Sequence, residues 1–212
     1  MSLRNFVAKV SESYTLESSA ELASMCALLK EQVDLPQVTD WLSELRDESE
    51  DQLGRLASLM EIHPLGFEKY VLWDCEDSGI RGRLHYWPQN KWPFESIHDH
   101  RFNFAVIMLC GHYTHEEYNV TELEQDKVTL ELTRSSKVAQ GDSYYFEAGS
   151  FHRVLPSDET TLSLIVRSKA ILPYSRVVDP ETLQMRKAYG NVKKFKDKLA
   201  NLEDALHQSV LR

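Results

Sequence analysis

The chain has 212 residues, of which 42% are hydrophobic and 27% charged, a length and balance that suit one folded domain with its own core. Its formal charge of −9 argues against a nucleic-acid surface, which needs a clustered basic face, and the densest basic run, Lys187 to Lys198, reads as one helix face. No apolar window reaches the length of a membrane span and the opening Met1–Phe6 lacks a secretion-signal core, so no nucleic-acid or membrane partner is expected and the protein is read as cytoplasmic.

Three zones follow one another. Residues 1–66 read as a helical region. Within it Ala20, Leu22, Ala23, Cys26, Leu28 and Leu29 recur at helical spacing, then Val38, Trp41, Leu42 and Leu45, then Leu53, Leu56, Ala57 and Met60, which predicts two or three amphipathic helices between Ser18 and Ile62. Residues 67–178 are richer in Val, Tyr, Phe and Trp. Strands are predicted at Tyr70–Trp73, Arg81–Tyr86, Phe102–Leu109, Tyr113–Val120, Val128–Thr133, Ser143–Phe146, His152–Leu155 and Thr161–Arg167, separated by turn residues such as Gly111, Gln140-Gly141-Asp142 and Ala148-Gly149. Many short strands at regular spacing mean an antiparallel sandwich or barrel. Residues 179–212 are read as a helical extension that starts with Asp179 as cap and Pro180 in the first turn. A last helix carries Val192, Phe195, Leu199, Leu202, Leu206 and Val210 on one face, and it packs on the barrel or on a second copy as a homodimer. The cysteines Cys26, Cys75 and Cys110 form no CxxC pair, so neither a zinc knuckle nor a disulfide framework is expected.

The chemistry concentrates in histidine. His98 and His100 lie two apart in a β-rich stretch, which directs both imidazoles to one face with Asp99 pointing away. His152 comes after a glycine turn, at the distance of an intervening hairpin. Imidazole is a common ligand for zinc, iron, copper and nickel. His112 and His115, three apart around a turn, need not share a face, and a second metal site there is the minor alternative to core or surface roles. His63, His85 and His207 have no partner spacing, and His85, on a barrel strand, is a core or surface residue or else a support behind the ligands.

His98-Asp-His100 with Gly111, followed by Gly141-Asp-Ser-Tyr-Tyr-Phe-Glu147-Ala-Gly149-Ser-Phe-His152, resembles the paired motifs of the cupin superfamily, with Glu147 in place of the usual Pro. The resemblance implies a mainly β, jelly-roll barrel, to which the patterns above add N-terminal helices and a C-terminal helical extension, and it implies a metal held by His98, His100 and His152. The carboxylate ligand of many cupins falls at Phe104 or Ala105, so the likeness is to the three-histidine subset. Within that subset Ser96-Ile-His-Asp-His100 is similar to the corresponding segment of cysteine dioxygenases. On the strand that carries that family's Ser-x-His-x-Tyr triad, Ser163 matches the first position, Ile165 stands for the His and Arg167 for the Tyr. The crosslinking Cys falls near Ala105, and the carboxylate-binding Arg near Val71.

The resemblance implies a mononuclear non-haem Fe(II) dioxygenase acting on a small anionic substrate and O2. Three neutral ligands leave the ion's full charge for such a substrate. Arg167 and Tyr144 are the catalytic candidates, and Arg81, Arg83, Tyr86 and Ser163 the candidates for binding substrate. Zn(II), Ni(II) or Mn(II) at the same site would instead support a non-redox isomerase or lyase, and a barrel that binds a small molecule without turnover is the third alternative.

Overall fold

The computed structural model describes residues 1–62, 67–88, 96–190, 196 and 198–201. Four helices come first: α1 (Leu3–Ser13), α2 (Ser19–Gln32), α3 (Leu35–Arg46) and α4 (Glu50–Ala57). Each begins where a short polar side chain can accept from a free backbone N–H of the first turn: Ser2, Ser18, Asp34 and Ser49 do so, and Ser18 forms a reciprocal box with Glu21. α1 lies outside the predicted helices, although its buried Leu3, Phe6 and Val10 have helical spacing.

Twelve strands follow: β1 (Glu61–Ile62), β2 (Glu68–Asp74), β3 (Arg81–Trp87), β4 (Ile97–His98), β5 (Phe104–Cys110), β6 (His112–Glu122), β7 (Val128–Ala139), β8 (Ser143–Phe146), β9 (Phe151–Pro156), β10 (Thr161–Arg167), β11 (Tyr174–Val178) and β12 (Met185–Tyr189). All eight predicted strands are among them. They form two six-stranded antiparallel sheets, in the orders β1-β2-β3-β10-β5-β8 and β12-β11-β4-β9-β6-β7. Because consecutive strands switch between sheets, the two close on each other as a jelly roll, the cupin architecture expected from the sequence.

The first sheet is buried on both faces, and strand periodicity sorts its residues. Leu84, Ala105, Ile107, Leu109, Leu164 and Val166 face the helices, joining Leu22, Met25 and Leu29 of α2 in the main core. Phe104, Val106, Met108 and Ile165 face the barrel interior. An aromatic cluster ties helices to sheet: the Phe6 ring lies 4.8 Å from Trp41 and 5.7 Å from Trp73. Trp73 lies over Gly82 so closely that a Cβ there would come within 2.2 Å of the indole.

The helix predicted to start at Asp179 is corrected: β11 and β12 form a hairpin around that residue. Asp179 Oδ1 accepts from the backbone of Glu181 and Thr182, and Leu183 N–H returns to the Asp179 carbonyl. The side chain that would cap a helix closes a turn instead, because β11 and β12 find strand partners. Residues 196 and 198–201 are helical, while His63, His207, Val192, Phe195, Leu202, Leu206 and Val210 lie outside the described residues. Among the described residues no helix is long and apolar enough to cross a membrane.

Candidate metal centre

Strand pairing builds the site. β4 runs antiparallel to β9 with His98 directly opposite His152, so two of the three imidazoles start as a cross-strand pair. His100 lies two residues past His98, and its carbonyl accepts from Gly149 N–H at 3.0 Å. Gly149 has φ +84°, a conformation open to glycine at no steric cost. One ring nitrogen from each of His98, His100 and His152 lies within 4.8 Å of the others.

These residues fit a divalent ion. His98 Nδ1 lies 3.0 Å from the Ser96 carbonyl and so carries the proton, which leaves Nε2 for a ligand bond. His100 Nε2 and His152 Nε2 are 2.9 Å apart. Two nitrogens about 2.1 Å from a shared ion and at right angles would be separated by about 3 Å. Burial pushes all three imidazoles below the ordinary histidine range, and for His100 and His152 the neighbouring His98 adds to it, so they are held neutral as ligands must be.

Asp99 points away from the centre, as expected, and is 1% exposed. It accepts from Arg176 N at 2.5 Å and from Arg176 Nε at 2.7 Å. The same guanidinium donates to the Gly149 carbonyl at 3.0 Å and stacks over Phe151. Arg176 therefore clamps the His98–His100 segment to the turn that precedes His152. No sequence signal announced it, because its partners lie 77 and 27 residues away.

The three histidines line one wall of a small cavity of about 70 Å³. Phe67, Trp87, Phe104, Val154 and Ile165 supply apolar surface, Lys69 and Arg83 supply positive charge, and His85, Tyr113 and Tyr144 complete the lining. Among the described residues that line it there is no carboxylate. The Trp87 indole is 4% exposed and its N–H makes no hydrogen bond among the described residues. Tyr113 and Tyr144 share a hydroxyl–hydroxyl bond of 2.8 Å, and burial raises both phenols well above their ordinary range. They stay protonated: one hydroxyl donates to the other, whose own proton remains to donate elsewhere.

The structure sorts the predicted substrate residues. Arg83 and Tyr144 line the cavity. Arg81 is on the same strand face but is tied to Asp74 by two bonds, 2.7 and 3.1 Å. Tyr86 is corrected: it alternates with His85 and shares the face of Leu84, away from the cavity. Ser163 is fully buried on the inner face opposite His85, behind the lining, and its hydroxyl is unpartnered. Arg167 faces inward beside Phe102, its guanidinium 4.8 Å from that ring, and donates to the Ser168 carbonyl. Burial and the nearby Arg81 and Arg83 lower it to about 9, and it is not part of the cavity wall. Phe104 stands where a carboxylate ligand was sought, its ring 5.0 Å from His100, and Ala105 faces the helices. His112 turns outward to Glu159, so it shares no site with His115. His115 is a residue sequence reasoning missed: it is 2% exposed, and its Nε2 lies 2.8 Å from His152 Nδ1.

No family model matches the chain, and no curated protein matches it. Solved structures with a similar backbone include the DMSP lyase DddQ of Ruegeria pomeroyi, at 15% identity and TM-score 0.37, covering 51% of this chain and 50% of the lyase. A Klebsiella pneumoniae protein with a double-stranded β-helix domain gives 11% identity and TM-score 0.38, covering 64% of this chain and 95% of its own. A variant of Bacillus subtilis oxalate decarboxylase gives 14% identity and TM-score 0.36, over 53% of this chain and 28% of the decarboxylase. The chain thus spans about half the length of the lyase it matches.

Proposed function

We propose that the chain is a metal-dependent cupin enzyme, a mononuclear non-haem Fe(II) dioxygenase of the thiol dioxygenase type acting on a small anionic substrate with O2. The observation that carries the reading is a set of three neutral imidazoles, with no carboxylate among them, on the wall of a cavity that also presents Arg83 and Lys69. An iron(II) ion held by His98, His100 and His152 would supply Lewis acidity and a redox centre. Arg83 would pair with a carboxylate or thiolate of the substrate. Whichever of the Tyr113 and Tyr144 hydroxyls accepts within their shared bond would keep its own proton to donate to the substrate, and the apolar wall would keep water out. The three cysteines are free, in keeping with a reducing, cytoplasmic setting.

A second reading, a Zn(II), Ni(II) or Mn(II) isomerase or lyase, is favoured by one observation. By the resemblance, Arg167 stands at the position of the thiol dioxygenase Tyr and Ala105 near that of its Cys, and neither lines the cavity. Elemental analysis of purified protein beside a His98→Ala/His152→Ala variant tests the site, with about one metal per chain expected in the parent and none in the variant. Oxygen uptake with small thiols and carboxylates separates the readings, since turnover that persists without oxygen would exclude the dioxygenase. Arg83→Met should raise KM for an anionic substrate by about tenfold or more while metal content stays unchanged.

A further inference from the structure

His115 is outside the ligand set, yet it is packed against the centre. Its ring lies between Tyr144 at 4.7 Å and Phe146 at 5.3 Å. Its Nε2 meets His152 Nδ1 at 2.8 Å. Its Nδ1 faces Glu117 Oε1 at 3.9 Å, and Glu117 in turn faces Arg134 at 3.5 Å. His115, Glu117 and Arg134 line a cleft between the edge strands β7 and β8, separate from the cavity wall that holds Arg83.

The proton positions follow from the geometry. An imidazole that offers Nε2 to a cation keeps its proton on Nδ1. His152 therefore donates from Nδ1, and His115 Nε2 must accept. A neutral His115 then carries its own proton on Nδ1, directed at Glu117. At 3.9 Å the Glu117 contact is too long for a direct hydrogen bond, but close enough for the carboxylate charge to favour that tautomer.

We infer that His115 is a positioning residue for the metal centre: it accepts the His152 Nδ1 proton, fixes that ligand's tautomer and ring plane, and links it to the Glu117 carboxylate. The relay Glu117–His115–His152 rests on the metal reading above. It also explains why a polar ring is enclosed in an otherwise aromatic layer, where phenylalanine would pack as well.

The test is metal affinity of the full chain, stripped and titrated with Co(II) and Zn(II) against a chelating dye. His115→Phe should weaken binding by about 10- to 100-fold, as loss of a partner behind a ligand does. His115→Gln, whose amide oxygen can accept the same proton, should recover much of the loss, and Glu117→Gln should cost less than His115→Phe. Nitrogen-resolved imidazole NMR of the Zn(II)-loaded parent should find the His115 proton on Nδ1. A parent chain that binds neither ion removes the metal reading itself, and the relay with it. A parent that binds, beside a folded His115→Phe that binds equally well, overturns the relay alone. A His115 proton on Nε2 does the same, and that measurement decides the matter if His115→Phe does not fold.

Discussion

A carboxylate as enclosed as Asp99 keeps its place because Arg176 meets it from both backbone and side chain. Arg176→Ala would remove the ion-pair partner of that buried charge and leave it only the residue 176 backbone N–H, so the cost should fall toward the low end of the about 3–5 kcal/mol seen when such a pair is broken. Urea unfolding should show a loss of this size, and Asp99→Asn in the same background should recover part of it. Metal affinity should fall in both variants, because Gly149 loses the guanidinium that anchors its turn. Acid sensitivity belongs to the same scale. The folded chain holds His98, His100, His115 and His152 below their ordinary range, mainly through burial. Between pH 6.5 and about 4, where His115 titrates, the unfolded chain binds more protons than the folded one. Stability therefore rises with pH through this window and is lost as pH falls through it. Melting of the metal-free chain at pH 7.5 and pH 5 should show the drop, and His115→Phe should reduce it while the three ligand histidines keep the remainder.

Elements were legible where their own residues encode them. The eight predicted strands carry the alternation of a half-buried ladder or the apolar run of a doubly buried one, as in Phe104–Cys110. α1 carried its signal too, in Leu3, Phe6 and Val10, but it falls ahead of the long periodic stretch that sets the zone's boundary. The β11–β12 hairpin could not be read locally. Asp179-Pro180 offers the same side-chain acceptor to a turn as to a helix, and the choice is made by β4, some 80 residues upstream. Gly82 is decided at this scale as well. Any larger residue drives into the Trp73 ring that joins β2 to α1 and α3. Gly82→Ala should destabilise by about 1–3 kcal/mol, seen as a lower melting temperature with metal content per folded chain unchanged.

For the whole molecule, the helices and the metal centre lie on opposite faces of one sheet. Removing residues 1–57 would uncover Leu84, Ile107, Leu109, Leu164 and Val166 together, a contiguous apolar face. Such a truncated chain should elute as aggregate in size-exclusion chromatography even with metal added. The division explains what the sequence could disclose of the site. His98, His100 and His152 announced themselves through spacing and flanking glycines. Arg83 was one of several strand cations, and only the closed barrel shows that it lines the cavity while Arg81 does not. His115 met its partner only through the pairing of β6 with β9, and short-range spacing carries no trace of that.

The clamp made by Arg176 has a consequence in time. Its ties to Asp99 and Gly149 join segments that leave the ribosome far apart, and β11 is the last of the three to emerge. Residues 174–178 dock between β4 and β12, so the Arg176 clamp on the His98–His100 segment closes only after β11 has emerged. Such long-range pairing is slow relative to local helix formation. The clamp across the metal-holding segments is therefore a late acquisition of a newly made chain, closed only once its last described strands are in place.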